Sequence, residues 1–323
     1  MSLLELDSLN IDLSSSSGPV NVVNDLSLSI SQGEIFGLAG ESGCGKSLTA
    51  LAIMGILPEV MSASGSIRLE GRELIGMKEA SLRKLRGGEM AMIFQEPMTS
   101  LNPVLRVGYQ IEEAINTHLK VTGKEARRIT LGLLRSVNIP APEMKMREYP
   151  HQLSGGMRQR VMMAMAIACS PALLIADEPT TALDVTIEAQ ILALLRELRD
   201  TKDMGMLLIT HDLGVIAENA ERVAIMYAGR IVEQAPVRKI FDAPAHPYTV
   251  GLLRSLPEAR GQTLNPIPGF VPKPGRLPEG CKFSDRCSYT MEECRQAEPS
   301  LVPADGGEGH VTTCIRAKER PWI

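Results

Sequence analysis

The chain has 323 residues, with 34 Lys and Arg against 38 Asp and Glu, a formal charge of −4. That balance offers no clustered basic face for nucleic acid. The length allows a sizeable core in one large domain plus a smaller one, and 44% hydrophobic with 22% charged residues is ordinary for a soluble globular protein.

The N-terminus, MSLLELDSLNIDL, carries acids where a secretory signal would carry bases. The longest apolar run, Val161 to Cys169, is about half the roughly 20 residues that a spanning helix needs. The expectation is a chain in the cytoplasm that meets a membrane only through partner proteins. Residues 1–32 read as strands of a small antiparallel sheet, with alternation in VNVVNDLSLSI and a polar loop at Ser14 to Gly18. Glu34 to Gly40 (EIFGLAG) suits a buried strand stopped by glycine, and KSLTALAIMGIL after it suits a helix. Strand, glycine loop and helix in that order open an α/β domain with a parallel sheet.

Residues 98 to about 168 read as mostly helical, with helix-period apolar residues in VGYQIEEAINTHL and EARRITLGLLRSV. Two continuous apolar runs, Ala172 to Asp177 and Met206 to Thr210, have the texture of buried parallel strands, and the helix TIEAQILALLRELRD separates them. After Leu256 come Pro257, Pro266, Pro268, Pro272, Pro274 and Pro278, a linker that can continue neither helix nor central strand. The division expected is a nucleotide-binding domain at 1–256, holding a helical subdomain at about 98–168, and an extension at 257–323.

Gly40-Glu41-Ser42-Gly43-Cys44-Gly45-Lys46-Ser47 fits the phosphate-loop pattern G-x-x-x-x-G-K-[ST], between an expected strand and an expected helix. Glycines let backbone N–H groups curl around a phosphate, and the helix N-terminus adds partial positive charge. Lys46 can reach the outer phosphates, Ser47 can ligate Mg²⁺, and Leu48 completes the nucleotide-binding stretch. Asp177, ending an apolar strand, can hold the Mg²⁺ shell, and Glu178 can act on the attacking water.

Leu153-Ser154-Gly155-Gly156-Met157 followed by RQRV resembles the signature of ATP-binding cassette (ABC) ATPases, and the family's other motifs follow suit in order. Gln95 in IFQEP resembles the glutamine loop, Thr181 to Asp184 the loop that speaks across the dimer, and His211 the switch histidine. The resemblance implies a P-loop cassette with a mixed core sheet, an antiparallel β subdomain and a helical subdomain. It also implies Mg²⁺ on Ser47 and Gln95, and two ATP molecules sandwiched head to tail. Ser154, Gly155 and Gly156 would then meet the γ-phosphate bound by the other subunit, His211 would sense it, and Asp184 would face the partner. Without that frame, His211 would read as an ordinary structural histidine.

IFQEPMTSLNPVLRVGYQI, Ala245 to Thr249 (AHPYT) and LSGGMRQRVMMAMAIA resemble the dipeptide, oligopeptide and nickel importer subfamily. That resemblance implies a motor subunit on the cytoplasmic face of the membrane. Its partners would be a second cassette (identical or homologous), two permease subunits and an extracytoplasmic solute-binding protein. A soluble ABC ATPase of translation or DNA repair would carry two cassettes or a long coiled-coil insertion. An exporter motor would lack AHPYT and the cysteine tail. Many cassettes stack adenine on an aromatic residue about 30 positions before the lysine; near Ser17 this chain has SSSSGPV. The lost stacking is worth roughly 1–3 kcal/mol.

Cys281, Cys287, Cys294 and Cys314 crowd the tail, while Cys44 and Cys169 lie apart, expected in a loop and in a helix. The spacing leaves open tetrahedral zinc, a [4Fe–4S] cluster, disulfides or free thiols. No pair has the two-to-four-residue separation that zinc prefers, and wide spacing suits the larger cage of a cluster. Resemblance to the importer extension points to iron–sulfur as well. His246 and His310 are weaker metal candidates, His246 being better explained by a turn entering a helix.

Overall fold

The computed structural model describes residues 2–16, 18–95, 100–180, 185–256, 267–304 and 309–322. The chain gathers into two compact units stitched from separated stretches: Ser31–Glu34 with Gly76–Leu207, and Ser2–Ile30 with Ile35–Ile75 and Leu208–Ile323. Among the described residues no helix is long and apolar enough to cross a membrane.

The second of these units holds a four-stranded sheet of Gly18–Ser31, Ser2–Ser15, Met61–Leu69 and Arg72–Glu73, in that order. Leu26, Leu28 and Ile30 are buried at the two-residue period of a half-buried strand. Met61–Leu69 runs antiparallel to Ser2–Ser15, from Leu4↔Leu69 to Leu13↔Met61, with a register shift between Asp7 and Asn10. This strand carries no clean alternation in its sequence, MSASGSIRL, and its pairing comes from its neighbour.

Also in this unit, Ile35–Ala39 is buried throughout and lies parallel to Arg222–Tyr227, from Phe36↔Arg222 to Ala39↔Ile225. Arg230–Pro236 folds back antiparallel on Arg222–Tyr227. The tail then adds to the edge: Val311–Thr312 pairs with Glu233 and Gln234, and Val302–Pro303 pairs with Val311–Thr312. The phosphate-loop helix, Lys46–Met54, stops at Gly55, which is left-handed with φ 63°.

The other unit holds a parallel pair, Met90–Ile93 beside Leu173–Asp177, both buried along their length. Helices Val107–His118, Gly123–Ser136, Pro142–Lys145 and Gly155–Ala166 fill the stretch expected to be helical. Thr122 caps the second, its Oγ1 accepting from the N–H of Glu125. Cys169 lies in the turn after Gly155–Ala166, not in the helix expected for it, because the helix ends at Ala166.

Candidate nucleotide site

Three left-handed glycines shape the phosphate loop: Gly40 (φ 154°), Gly43 (φ 80°) and Gly45 (φ 108°). Gly40 is the most constrained, since a Cβ there would lie 2.2 Å from the Met226 carbonyl oxygen. Lys46, only 5% exposed, turns its ammonium into the loop and donates to the carbonyls of Gly40 (2.8 Å) and Glu41 (3.1 Å). Cys44 is buried beside it, its sulfur 3.8 Å from Lys46 Nζ, and burial pushes its thiol pKa up. Ser47 and Leu48 are half-buried in the first turn of the helix, while Ser42 and Gly43 are exposed at the tip of the loop. Glu41 departs from a plain cradle residue. Its N–H donates to the Tyr248 hydroxyl at 2.9 Å, and its carboxylate is held by Arg286 at 2.6 and 3.0 Å.

In the other unit, the buried strand Leu173–Asp177 delivers Asp177, 3% exposed, and then Glu178. Glu178 is left-handed, with φ 45°, an unusual conformation for a residue bearing a side chain. Gln95 Nε2 donates to Glu178 Oε2 at 2.8 Å, so two residues 83 apart, read separately from sequence, meet here. Positive φ at a carboxylate held by a side-chain amide is the kind of local strain that collects at working sites.

Ser154 caps the helix Gly155–Ala166, its hydroxyl accepting from Met157 N–H at 3.3 Å. Ser154 and Gly155 are exposed at this N-terminus, where unpaired N–H groups suit an anion. One buried residue of the helix, Gln159, donates to the Pro179 carbonyl at 2.6 Å and so ties the signature helix to the turn that carries Glu178. His211 is exposed directly after the buried strand Gly205–Thr210, and Asp212 caps the helix that follows. Ser17 and the loop Thr181 to Asp184 lie outside the described residues.

Residues 23–181 match the family model of the ABC transporter ATPases, and residues 232–294 match the C-terminal region of oligopeptide and dipeptide transporters. The chain is 52% identical to the dipeptide transport ATP-binding protein DppD of Haemophilus influenzae, covering 93% of this chain and 92% of that one. It is 47% identical to a putative peptide import ATP-binding protein of Brucella ovis, over 98% of each chain. This chain belongs to the ABC transporter ATPases, in the branch with the oligopeptide/dipeptide transporter C-terminal region. Among solved structures it resembles the bacterial ABC transporter cassette MJ0796 in its dimeric form, with TM-score 0.65 at 26% identity over 73% of this chain and 99% of that one. An ABC ATPase couples ATP hydrolysis to transport, and the soluble translation or repair reading is not favoured.

The C-terminal region of this ABC ATPase brings all four tail cysteines, Cys281, Cys287, Cys294 and Cys314, to the lining of one cavity. No disulfide joins them. Burial pushes the thiol of Cys281 up to about 11 and that of Cys314 up to about 12, and it raises Cys287 too; neighbouring cysteines add to each shift. Among the described residues, no group of three or more His, Cys, Asp or Glu could hold a metal ion as placed. His246 is a capping residue: buried, its Nδ1 accepts from Tyr248 N–H at 3.1 Å. His310 is fully buried against Glu233, Nε2 to Oε1 2.8 Å. Three residues that sequence reasoning gave no role, Gln159, Tyr248 and Arg286, thus touch the motifs directly. Gln159 lies in the RQRV stretch and Tyr248 in AHPYT, and both signals spoke of family membership and not of these contacts.

Proposed function

We propose that this chain is the ATP-hydrolysing motor of a peptide importer, powering uptake of dipeptides and oligopeptides across the cytoplasmic membrane. It works on the cytoplasmic face with a second cassette, two permease subunits and an extracytoplasmic solute-binding protein. Residues 1–256 serve as the nucleotide-binding domain, with its helical subdomain at about 98–168, and 257–323 as the extension. The observation that carries the reading is the presence of the ABC transporter region and the oligopeptide/dipeptide C-terminal region on one chain. DppD of Haemophilus influenzae, alike over almost the whole length, bears the name of a dipeptide transport protein.

In this reading Gly40 to Leu48 cradle the phosphates of ATP, and Lys46 gives its ammonium to the outer ones. Ser47, Gln95 and Asp177 would be the residues that hold Mg²⁺, which would supply screening of the phosphate charge. Glu178, oriented by Gln95, accepts the proton of the attacking water. His211 stabilises the transferring phosphoryl group together with Ser154, Gly155 and Gly156 of the facing cassette, and Asp184 faces the partner. The segment PMTSLNP after Gln95 meets the permease; its residues 97–99 lie outside the described residues. Exposed apolar side chains at Phe94, Val104 and Tyr109 lie on either side of it in sequence.

The same reading gives Cys281, Cys287, Cys294 and Cys314 a [4Fe–4S] cluster. Four thiols on one cavity are the donor set a cluster takes. Thiols that burial keeps protonated need an adjacent cation to become ligands, and the irons of a cluster would supply that charge. The cluster would pin the tail without entering hydrolysis. Vesicles carrying this chain, its second cassette and the permeases should take up labelled dipeptide with ATP and binding protein present. ATP-driven export, or no peptide uptake by an otherwise active complex, would overturn the reading. Anaerobic purification should give about four irons and four sulfides per chain, lost in Cys287→Ser; zinc or no metal would remove the cluster and leave the motor.

A further inference from the structure

We propose that Arg286, from the C-terminal region, is a positioning residue for ATP: it neutralises and holds Glu41, the second residue of the phosphate loop.

The contact joins residues 245 apart in sequence. Two parallel hydrogen bonds, Nη1 to Oε2 at 2.6 Å and Nη2 to Oε1 at 3.0 Å, make the fork-on-fork pairing in which a guanidinium matches a carboxylate. The Arg286 side chain is 5% exposed and that of Glu41 31%. Nothing about the arginine is left to chance. Its Nε donates to the Pro268 carbonyl at 2.8 Å, and its guanidinium lies 5.7 Å from the Tyr227 ring centre. Tyr227 packs edge-on against both Tyr248 and Phe283, and Tyr248 is the residue whose hydroxyl accepts the Glu41 N–H. Side chain and backbone of Glu41 are therefore both held from the far end of the chain.

Two consequences reach the nucleotide. The first is geometric: Lys46 Nζ donates to the carbonyls of Gly40 and Glu41, so the residue that Arg286 holds also sets where the ammonium lies. The second is electrostatic. An unpaired carboxylate beside a loop that must bind a polyanion repels it, and at low effective dielectric the repulsion is large. Arg286 cancels that charge.

The test is equilibrium ATP binding and steady-state hydrolysis by the full chain. In Arg286→Gln the carboxylate stays and its partner goes. The Kd and KM for ATP should rise roughly tenfold, within the span usual for coupled sites, with the loss falling on KM more than on kcat. Adding Glu41→Gln to that variant should return Kd to near the wild-type value, which lost packing alone would not allow. Unchanged Kd in R286Q, or no recovery in the double variant, overturns the proposal. Should R286Q fail to fold, the exchanged pair Glu41→Arg with Arg286→Glu decides: ATP binding near wild type supports the clamp, and lost binding by a folded protein sinks it.

Discussion

In the proposed mechanism Glu178 is the side chain that takes the proton. It follows a fully buried strand, takes up a left-handed conformation at φ 45°, and accepts from Gln95 at 2.8 Å. A carboxylate so held can receive a proton from water, whereas an amide of the same shape cannot. Glu178→Gln should therefore keep ATP binding and cut turnover by about 10²- to 10⁴-fold, the usual contribution of a general base. It should also accumulate an ATP-bound dimer, visible by size-exclusion chromatography with ATP. Turnover near wild type in that variant would remove Glu178 from this role. At this scale the buried strand ending in Asp177, the glycine loop and the helix start at Gly155 were legible, because they are local patterns whose spacing encodes their geometry. The Arg286–Glu41 pair was not legible. Neither residue is unusual in its own neighbourhood, and only the folded chain spans the 245 positions between them.

Elements were read best where one periodicity ruled. Ile35–Ala39, Leu173–Asp177 and Gly205–Thr210 are continuous apolar runs, and all are wholly buried strands. Met61–Leu69 escaped because its polar, glycine-bearing sequence alternates weakly and borrows its order from Ser2–Ser15. The helix Pro247–Arg254 shows how an element start can carry a titration. His246 caps it through Nδ1, which must be unprotonated to accept from Tyr248 N–H. Burial drives its pKa from 6.5 down to about 3. A histidine depressed in the folded state binds its proton first when unfolded. Its contribution is thus complete above about pH 6.5 and is lost as pH falls from there toward 3. At pH 5 the loss is about 2 kcal/mol, from 1.36 kcal/mol per pKa unit over about 1.5 units. His246→Asn keeps a capping oxygen without the titration, so its denaturation midpoint should fall less between pH 7 and pH 5 than that of the wild type. Equal falls in both proteins would show that this histidine does not govern the acid limb.

At the scale of the whole molecule, the tail is less of an appendage than its proline-rich linker suggests. Its Val311–Thr312 strand extends the edge formed by Arg230–Pro236, and the Trp322 indole donates to the Pro244 carbonyl at 3.0 Å. Two-residue strands have no periodicity to read, so no local pattern in the sequence announces this attachment. The deepest attachment is Glu233, fully buried, which accepts from the N–H groups of Ala245 (2.6 Å) and His246 (3.0 Å) and from His310 (2.8 Å). One acidic side chain thus joins an edge strand, a helix start and the tail. Glu233→Ala would strand three buried donors at once, and each buried donor left unsatisfied costs about 1–3 kcal/mol. Glu233→Gln keeps one acceptor oxygen and should cost less. The distinguishing readout is hydrogen exchange: in Glu233→Ala the amides of Val311 to Cys314 should lose protection well before those of the strand Ile35–Ala39. If both sets exchange together, Glu233 supports the fold as a whole and is not what ties the tail to it; if neither changes, the tail is held by its cysteines and Trp322 without help from this buried charge.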